Sequence, residues 1–255
     1  MAKLVADKVR IEHGLTINEK IIPWGAKWTK TAKGFKVGDN YKADRKLSKG
    51  TGIVKGITIH NTADLKSVEE DAEQYTRATY PNQNMNDARV HYYIDDINAW
   101  QNLREDEVGW HAGDGLGEGN ETTVAIEIIM DGSGSKEDMK SEDNGALLAA
   151  ILLVKHNLTI DKMYPHKKWS DKQCPLYILP HWDIFKAKVE ANIKMINEEQ
   201  KKGSAIIQKD WKEQSFDVLV EKGVITDTAY WKKRMNENIT VGDVIGLLGK
   251  TVQKI

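Results

Sequence analysis

Two rhythms of apolar residues run along the chain, one of period two and one near 3.6, and together they assign its elements in order. Ile53 to Ile59 is a β-branched run that stops at the turn chemistry of His60-Asn61-Thr62, and it predicts a strand. Leu65, Val68, Ala72, Tyr75 and Thr79 then recur at helical spacing, with Ser67 and Glu70 in capping-box relation and Pro81 as the stop. Val90–Asp95 and Ala99–Arg104 read as two strands close enough to pair as a hairpin. After a Gly-rich loop comes the strand Val124–Ile129, followed by a buried helix over Asp143–His156. A proline-bounded loop, YPHKKWSDKQCP, leads into a long charged helix whose apolar stripe is Trp182, Phe185, Val189, Ile193 and Ile196.

Strands alternating with helices predict an α/β domain, a central mixed β-sheet flanked by helices, over residues 1–197. Residues 1–50, polar and rich in Lys and Gly, read as an irregular N-terminal arm. The polar stretch 198–205 reads as a linker. Residues 206–255 carry three short helical patterns and predict a small all-helical C-terminal domain. The first lies near Lys209–Lys222 and stops at Gly223; the second lies near Asp227–Met235 with Asp227 as cap; the third opens at Thr240, with Asp243 completing a capping box.

Composition removes several function classes. A net charge of -1 leaves no electrostatic footprint for nucleic acid. No apolar run approaches the roughly 20 residues that a transmembrane helix needs. Asp7, Lys8 and Arg10 break the N-terminal segment, so no secretory leader is expected. A protein of this kind acting outside the cell would be made in the cytoplasm and released by other means. The single cysteine, Cys174, cannot close an internal disulfide, so it is buried, reactive or a ligand.

The candidate chemistry lies in three residues. His60 ends a strand, while His166 and Cys174 share the proline-bounded loop. Imidazole and thiolate are ligands that zinc prefers, and three protein ligands leave a position open for water, the pattern of a catalytic site. Packing is the alternative for each. Glu127 sits among apolar residues of a strand, where a carboxylate costs energy unless it is bonded or useful. His91 and His111 could line a site or hydrogen-bond a loop backbone. Asn61, Thr62 and Asn120 read as turn formers that could also touch a substrate. The run GDGLGEGN lacks GxxxxGK[ST] and leads into a strand, so phosphate binding is not expected.

Five ordered segments, ITIHNTAD, VHYYIDD, VGWHAGDG, TTVAIEI and PHKKWSDKQCP, resemble the type 2 N-acetylmuramoyl-L-alanine amidases. That family includes phage endolysins, Bacillus autolysins and peptidoglycan recognition proteins, and the likeness is greatest to the phage and prophage enzymes of Gram-positive hosts. The resemblance implies the amidase fold and cleavage of the bond between N-acetylmuramic acid and L-alanine in peptidoglycan. It implies Zn2+ on His60, His166 and Cys174, Glu127 as proton carrier, and Lys172 beside the oxyanion. His91, His111 and Asn61 would lie on the substrate side. Where the family often has a tyrosine before the His-Tyr pair this chain has Val90, which shifts catalytic weight to Glu127 and Lys172. The rival readings are a non-catalytic peptidoglycan-binding module and a zinc peptidase cutting within the stem peptide. Such amidases commonly join a wall-binding domain, and the mildly basic C-terminal domain would suit an anionic wall polymer such as teichoic acid.

Overall fold

The structure, a computed structural model, describes residues 3–22, 46–63, 71–80, 89–234 and 240–252. The chain divides into two compact units, Met1–Ile196 and Asn197–Ile255.

The first unit is built on a seven-stranded mixed sheet. In chain order its strands are β1 (Lys8–Glu12), β2 (Leu15–Glu19), β3 (Gly56–Asn61), β4 (Tyr92–Ile94), β5 (Ala99–Gln101), β6 (Thr123–Ile128) and β7 (Met163–Pro165). In space the order is β1-β2-β5-β4-β6-β3-β7. β4, β6, β3 and β7 are parallel neighbours, and the two hairpins supply the antiparallel pairs. The helices are α1, a single turn at Leu47–Gly50, then α2 (Ala72–Thr79), α3 (Glu118–Thr122), α4 (Lys136–Lys155) and α5 (Trp182–Glu221).

Strand alternation gives the sheet two different faces. Ile57 and Ile59 of β3, Val124, Ile126 and Ile128 of β6, and Tyr92 and Ile94 of β4 point to one face. There they form the main core with Leu148, Ile151 and Leu152 of α4 and Phe185, Val189 and Ile196 of α5. Helix α4 lies close enough that a Cβ on Gly145 would fall 2.4 Å from Ile128 Cδ1, so glycine is what the contact admits. On the other face, Tyr75 of α2 packs with Tyr93, Trp100 and Ala125. Thr58, His60 and Glu127 also belong to this second face by register.

Several expectations need correction. The N-terminal arm expected to be irregular contributes the β1–β2 hairpin. Its turn, His13-Gly14, has both residues at positive φ (50° and 83°), the geometry that suits the strand twist. The alternation is hidden because β1 turns apolar Val9 and Ile11 outward, while half-buried Arg10 donates to Glu12, Glu19 and Gln101. The strand expected at Ile53–Ile59 runs over Gly56–Asn61, and α4 starts at Lys136, ahead of Asp143, because Ser135 Oγ caps the Asp138 N–H at 3.1 Å. The Ser67–Glu70 capping box lies outside the described residues; the described helix begins at Ala72, capped by Asp71.

The stretch 198–205, expected as a linker, is helical and continuous with the pattern expected at Lys209–Lys222, both within α5. It contains good helix formers and no proline, so polarity alone did not break the helix. The C-terminal unit continues with α6 (Thr228–Arg234) and α7 (Val241–Val252). Their caps form as the sequence implies: Asp227 Oδ1 accepts from Tyr230 N–H, and Thr240 and Asp243 exchange bonds. Among the described residues no helix is long and apolar enough to cross a membrane.

Candidate metal centre

Three parallel strands carry the site at their C-terminal ends. β3 lies between β6 and β7, so His60 has Glu127 directly opposite on one side. On its other side Ile59 pairs with Pro165, and His166 follows at the next step. The loop after β7 then returns Cys174 to the same point, its turn held by the Lys167 N–H donating to the Cys174 carbonyl at 2.9 Å.

His60, His166 and Cys174 are all buried, and their ligand atoms lie within 4.8 Å of one another. Cys174 Sγ is 3.7 Å from His60 Nδ1. Zinc bonds of about 2.3 Å to sulfur and 2.0–2.1 Å to nitrogen, at a tetrahedral angle, would separate the two donors by about 3.6 Å. His166 Nδ1 is buried with no hydrogen-bond partner among the described residues, an orphan lone pair where a ligand atom is wanted. The residues therefore fit a zinc ion.

The opposite ring nitrogens are engaged. His166 Nε2 lies 2.9 Å from the Ala112 carbonyl and 3.1 Å from Ser170 Oγ. His60 Nε2 lies 3.1 Å from His111 Nδ1. Burial holds His60 and His111 well below the ordinary imidazole pKa and lowers His166 as well. All three rings are thus neutral, the form that ligates. Burial pushes the Cys174 thiol up to about 12, helped by the Glu127 charge, so this thiol is inert unless a cation stabilises its thiolate.

Burial also raises the Glu127 carboxyl to about 7, against the opposing pull of the Lys172 ammonium. Lys172 itself is exposed at the rim. The site thus combines a soft ligand set, a carboxyl near neutrality and a cation at the mouth.

The residues expected on the substrate side are engaged within the fold. His91 has no exposed surface; its Nδ1 accepts from the Ala125 N–H at 3.0 Å and its Nε2 meets the Glu107 carbonyl at 2.9 Å. Both nitrogens are bonded to backbone, so it joins the start of β4 to its neighbours. Asn61 is buried, and its Oδ1 accepts from the Tyr177 N–H at 3.2 Å. It ties β3 to the segment after Cys174. His111 is buried, its Nδ1 against His60 Nε2. The Ala112 carbonyl and Ser170 were not found by sequence reasoning, because a backbone acceptor has no residue signature.

Residues 50–177 match the protein family described as N-acetylmuramoyl-L-alanine amidase. N-acetylmuramoyl-L-alanine amidase XlyA of Bacillus subtilis (strain 168) is 38% identical over 133 residues, 52% of this chain and 43% of that protein. N-acetylmuramoyl-L-alanine amidase CwlH of the same organism is 38% identical over 130 residues, 51% of this chain and 50% of that protein. The chain thus spans about half the length of these relatives or less. The solved catalytic domain of XlyA superposes with a TM-score of 0.54 at 33% identity, covering 68% of this chain and 98% of that one.

Proposed function

Because the chain belongs to the N-acetylmuramoyl-L-alanine amidase family, we propose that it hydrolyses the amide bond between N-acetylmuramic acid and L-alanine in peptidoglycan, with zinc held by His60, His166 and Cys174. The observation that carries this reading is the convergence of two imidazoles and one thiol, one lone pair of which has no other partner.

When bound, zinc supplies Lewis acidity that polarises the scissile carbonyl and acidifies water. Glu127 takes the proton of the attacking water and returns it to the amine of L-alanine as the C–N bond breaks. A carboxyl held near neutrality can both accept and release that proton. Lys172 at the rim sets a positive charge near the carbonyl oxygen as it becomes an oxyanion. His111 behind His60, and the Ala112 carbonyl behind His166, keep the two ligand rings aimed.

We assign the C-terminal unit to wall attachment, with anionic polymers such as teichoic acid as its ligand; sedimentation of the full chain with walls before and after teichoic acid removal tests this. Phage or prophage lysins that meet the wall from the cytoplasmic side are the setting that the family suggests.

The deciding experiment incubates the protein with purified Gram-positive walls, with and without a chelator. New N-terminal alanine that disappears with the chelator is the expected result. New N-termini other than alanine would mean a stem-peptide peptidase, and no cleavage at all would mean a binding module.

A further inference from the structure

Both imidazoles of the centre are supported from behind, and both supports lead to one side chain. The Ala112 carbonyl stands against His166 Nε2, and the His111 ring stands against His60 Nε2. Ala112 and His111 are consecutive residues of a segment between β5 and α3 that belongs to neither. The Arg89–Trp110 bridge anchors the residue before them, but no strand or helix geometry fixes His111 and Ala112 themselves.

Asn120 of α3 does. It is 0% exposed. Its Oδ1 accepts from the His111 N–H at 2.8 Å and from the Ala112 N–H at 2.9 Å, and its Nδ2 donates to the Gly115 carbonyl at 3.0 Å. Its own backbone N–H meets Asp114 Oδ1 at 3.3 Å, which closes the loop on itself. A side-chain amide suits this task, because one oxygen with two lone pairs can accept two adjacent N–H groups while the nitrogen donates elsewhere.

The consequence reaches the ligands through their tautomers. A carbonyl can only accept, so the His166 proton is drawn to Nε2 and the lone pair is left on Nδ1, the orphaned atom. For His60 to offer Nδ1 beside Cys174 Sγ, its proton must likewise lie on Nε2, facing His111 Nδ1. If the 111–112 segment moved, both tautomers and both ring angles would lose their support.

We propose that Asn120 is a positioning residue of the metal centre, acting through the Ala112 carbonyl on His166 and through the His111 ring on His60. The inference rests on His60, His166 and Cys174 being metal ligands, but not on which amide bond is cut.

The test uses the full chain and four variants: Asn120→Ala, Asn120→Ser, Asn120→Asp, and Thr123→Val as control. Thr123 is buried in the same neighbourhood; its hydroxyl bonds Gly119 and Thr58, and only its backbone, which Thr123→Val leaves in place, meets the His111 ring. Zinc affinity is measured by competition with a chromophoric chelator, the ligand field by cobalt absorption, and apo stability by melting in chelator. Asn120→Ala should lose about 10–100-fold in affinity and shift the cobalt bands. Asn120→Asp, which keeps the acceptor, should recover most of the loss. Thr123→Val should melt lower yet bind as wild type does. If Asn120→Ala does not fold, Asn120→Ser, which leaves room for a water, should lose affinity in the same direction.

Wild-type affinity in the folded Ala or Ser variant overturns the proposal. So does an Asp variant no better than Ala, or a control that loses as much affinity. A wild-type protein that binds no zinc is a different result, since it removes the metal-centre reading itself.

Discussion

At the scale of single residues, the proposed mechanism gives metal binding and proton transfer to different side chains. Cys174→Ser replaces a soft ligand in a buried position, and zinc affinity should fall beyond the roughly 10–100-fold typical of an outer-shell change. Activity should go with it, while apo melting stays near wild type; a metal-free active variant would contradict the ligand assignment. Glu127→Gln should do the reverse. It keeps the shape and removes the proton acceptor, so wall hydrolysis should drop by about 100- to 10,000-fold with zinc affinity little changed. Equilibrium metal binding beside turnover on walls distinguishes the two. His91 and Glu127 show why residue type misleads. His91, just before β4, and Glu127 of β6 are both polar residues among apolar ones, yet His91 has both nitrogens bonded to backbone and Glu127 stands opposite His60.

At the scale of elements, α4 joins the sheet through an ionic cluster at its C-terminus, centred on buried Glu105. Glu105 accepts from His156 at 2.6 Å, Lys155 at 2.8 Å and Tyr92 at 2.6 Å. Burial alone would raise its carboxyl, but these three donors outweigh burial and hold it down at about 2. A depressed carboxylate adds stability above its unfolded pKa and loses it as pH falls towards the folded one. The first unit should therefore lose on the order of 3 kcal/mol from this group between about pH 4.5 and pH 2. Urea melts across that range should show the slope, and Glu105→Gln should flatten it; an unchanged slope would mean that another carboxylate dominates. Tyr92 continues the chain of bonds to Arg10 of β1 at 3.3 Å, which is how a charged edge strand is joined to the core.

At the scale of the whole molecule, the centre connects parts of the chain that are far apart in sequence: His60, the 111–120 loop and the 166–174 loop. A ligand that binds only the folded form stabilises it by about 2.7 kcal/mol at 100 times its Kd. For a unit of this size that corresponds to a rise in melting temperature of about 5–10 °C. Adding zinc to chelator-treated protein should produce that shift in wild type and not in Cys174→Ser. An equal shift in both would place the bound zinc elsewhere.

By itself the sequence determined the α/β class, the succession of strands β3 to β6 along the chain, the buried helices and the candidate ligand types, because period, turn chemistry and donor chemistry are local properties. His60 ends its strand, and His166 and Cys174 share a loop, within the reach of a few residues' reading. The tertiary structure alone decided the rest. The β1–β2 hairpin became a sheet edge because Arg10, Glu12, Glu19 and Gln101 bond across strands distant in sequence, which inverts the usual apolar pattern. The supports of the two candidate imidazole ligands are a carbonyl and a second imidazole, whose backbone N–H groups both donate to Asn120. Hydrogen bonds between distant segments depend on where the backbone passes, and no periodicity encodes that.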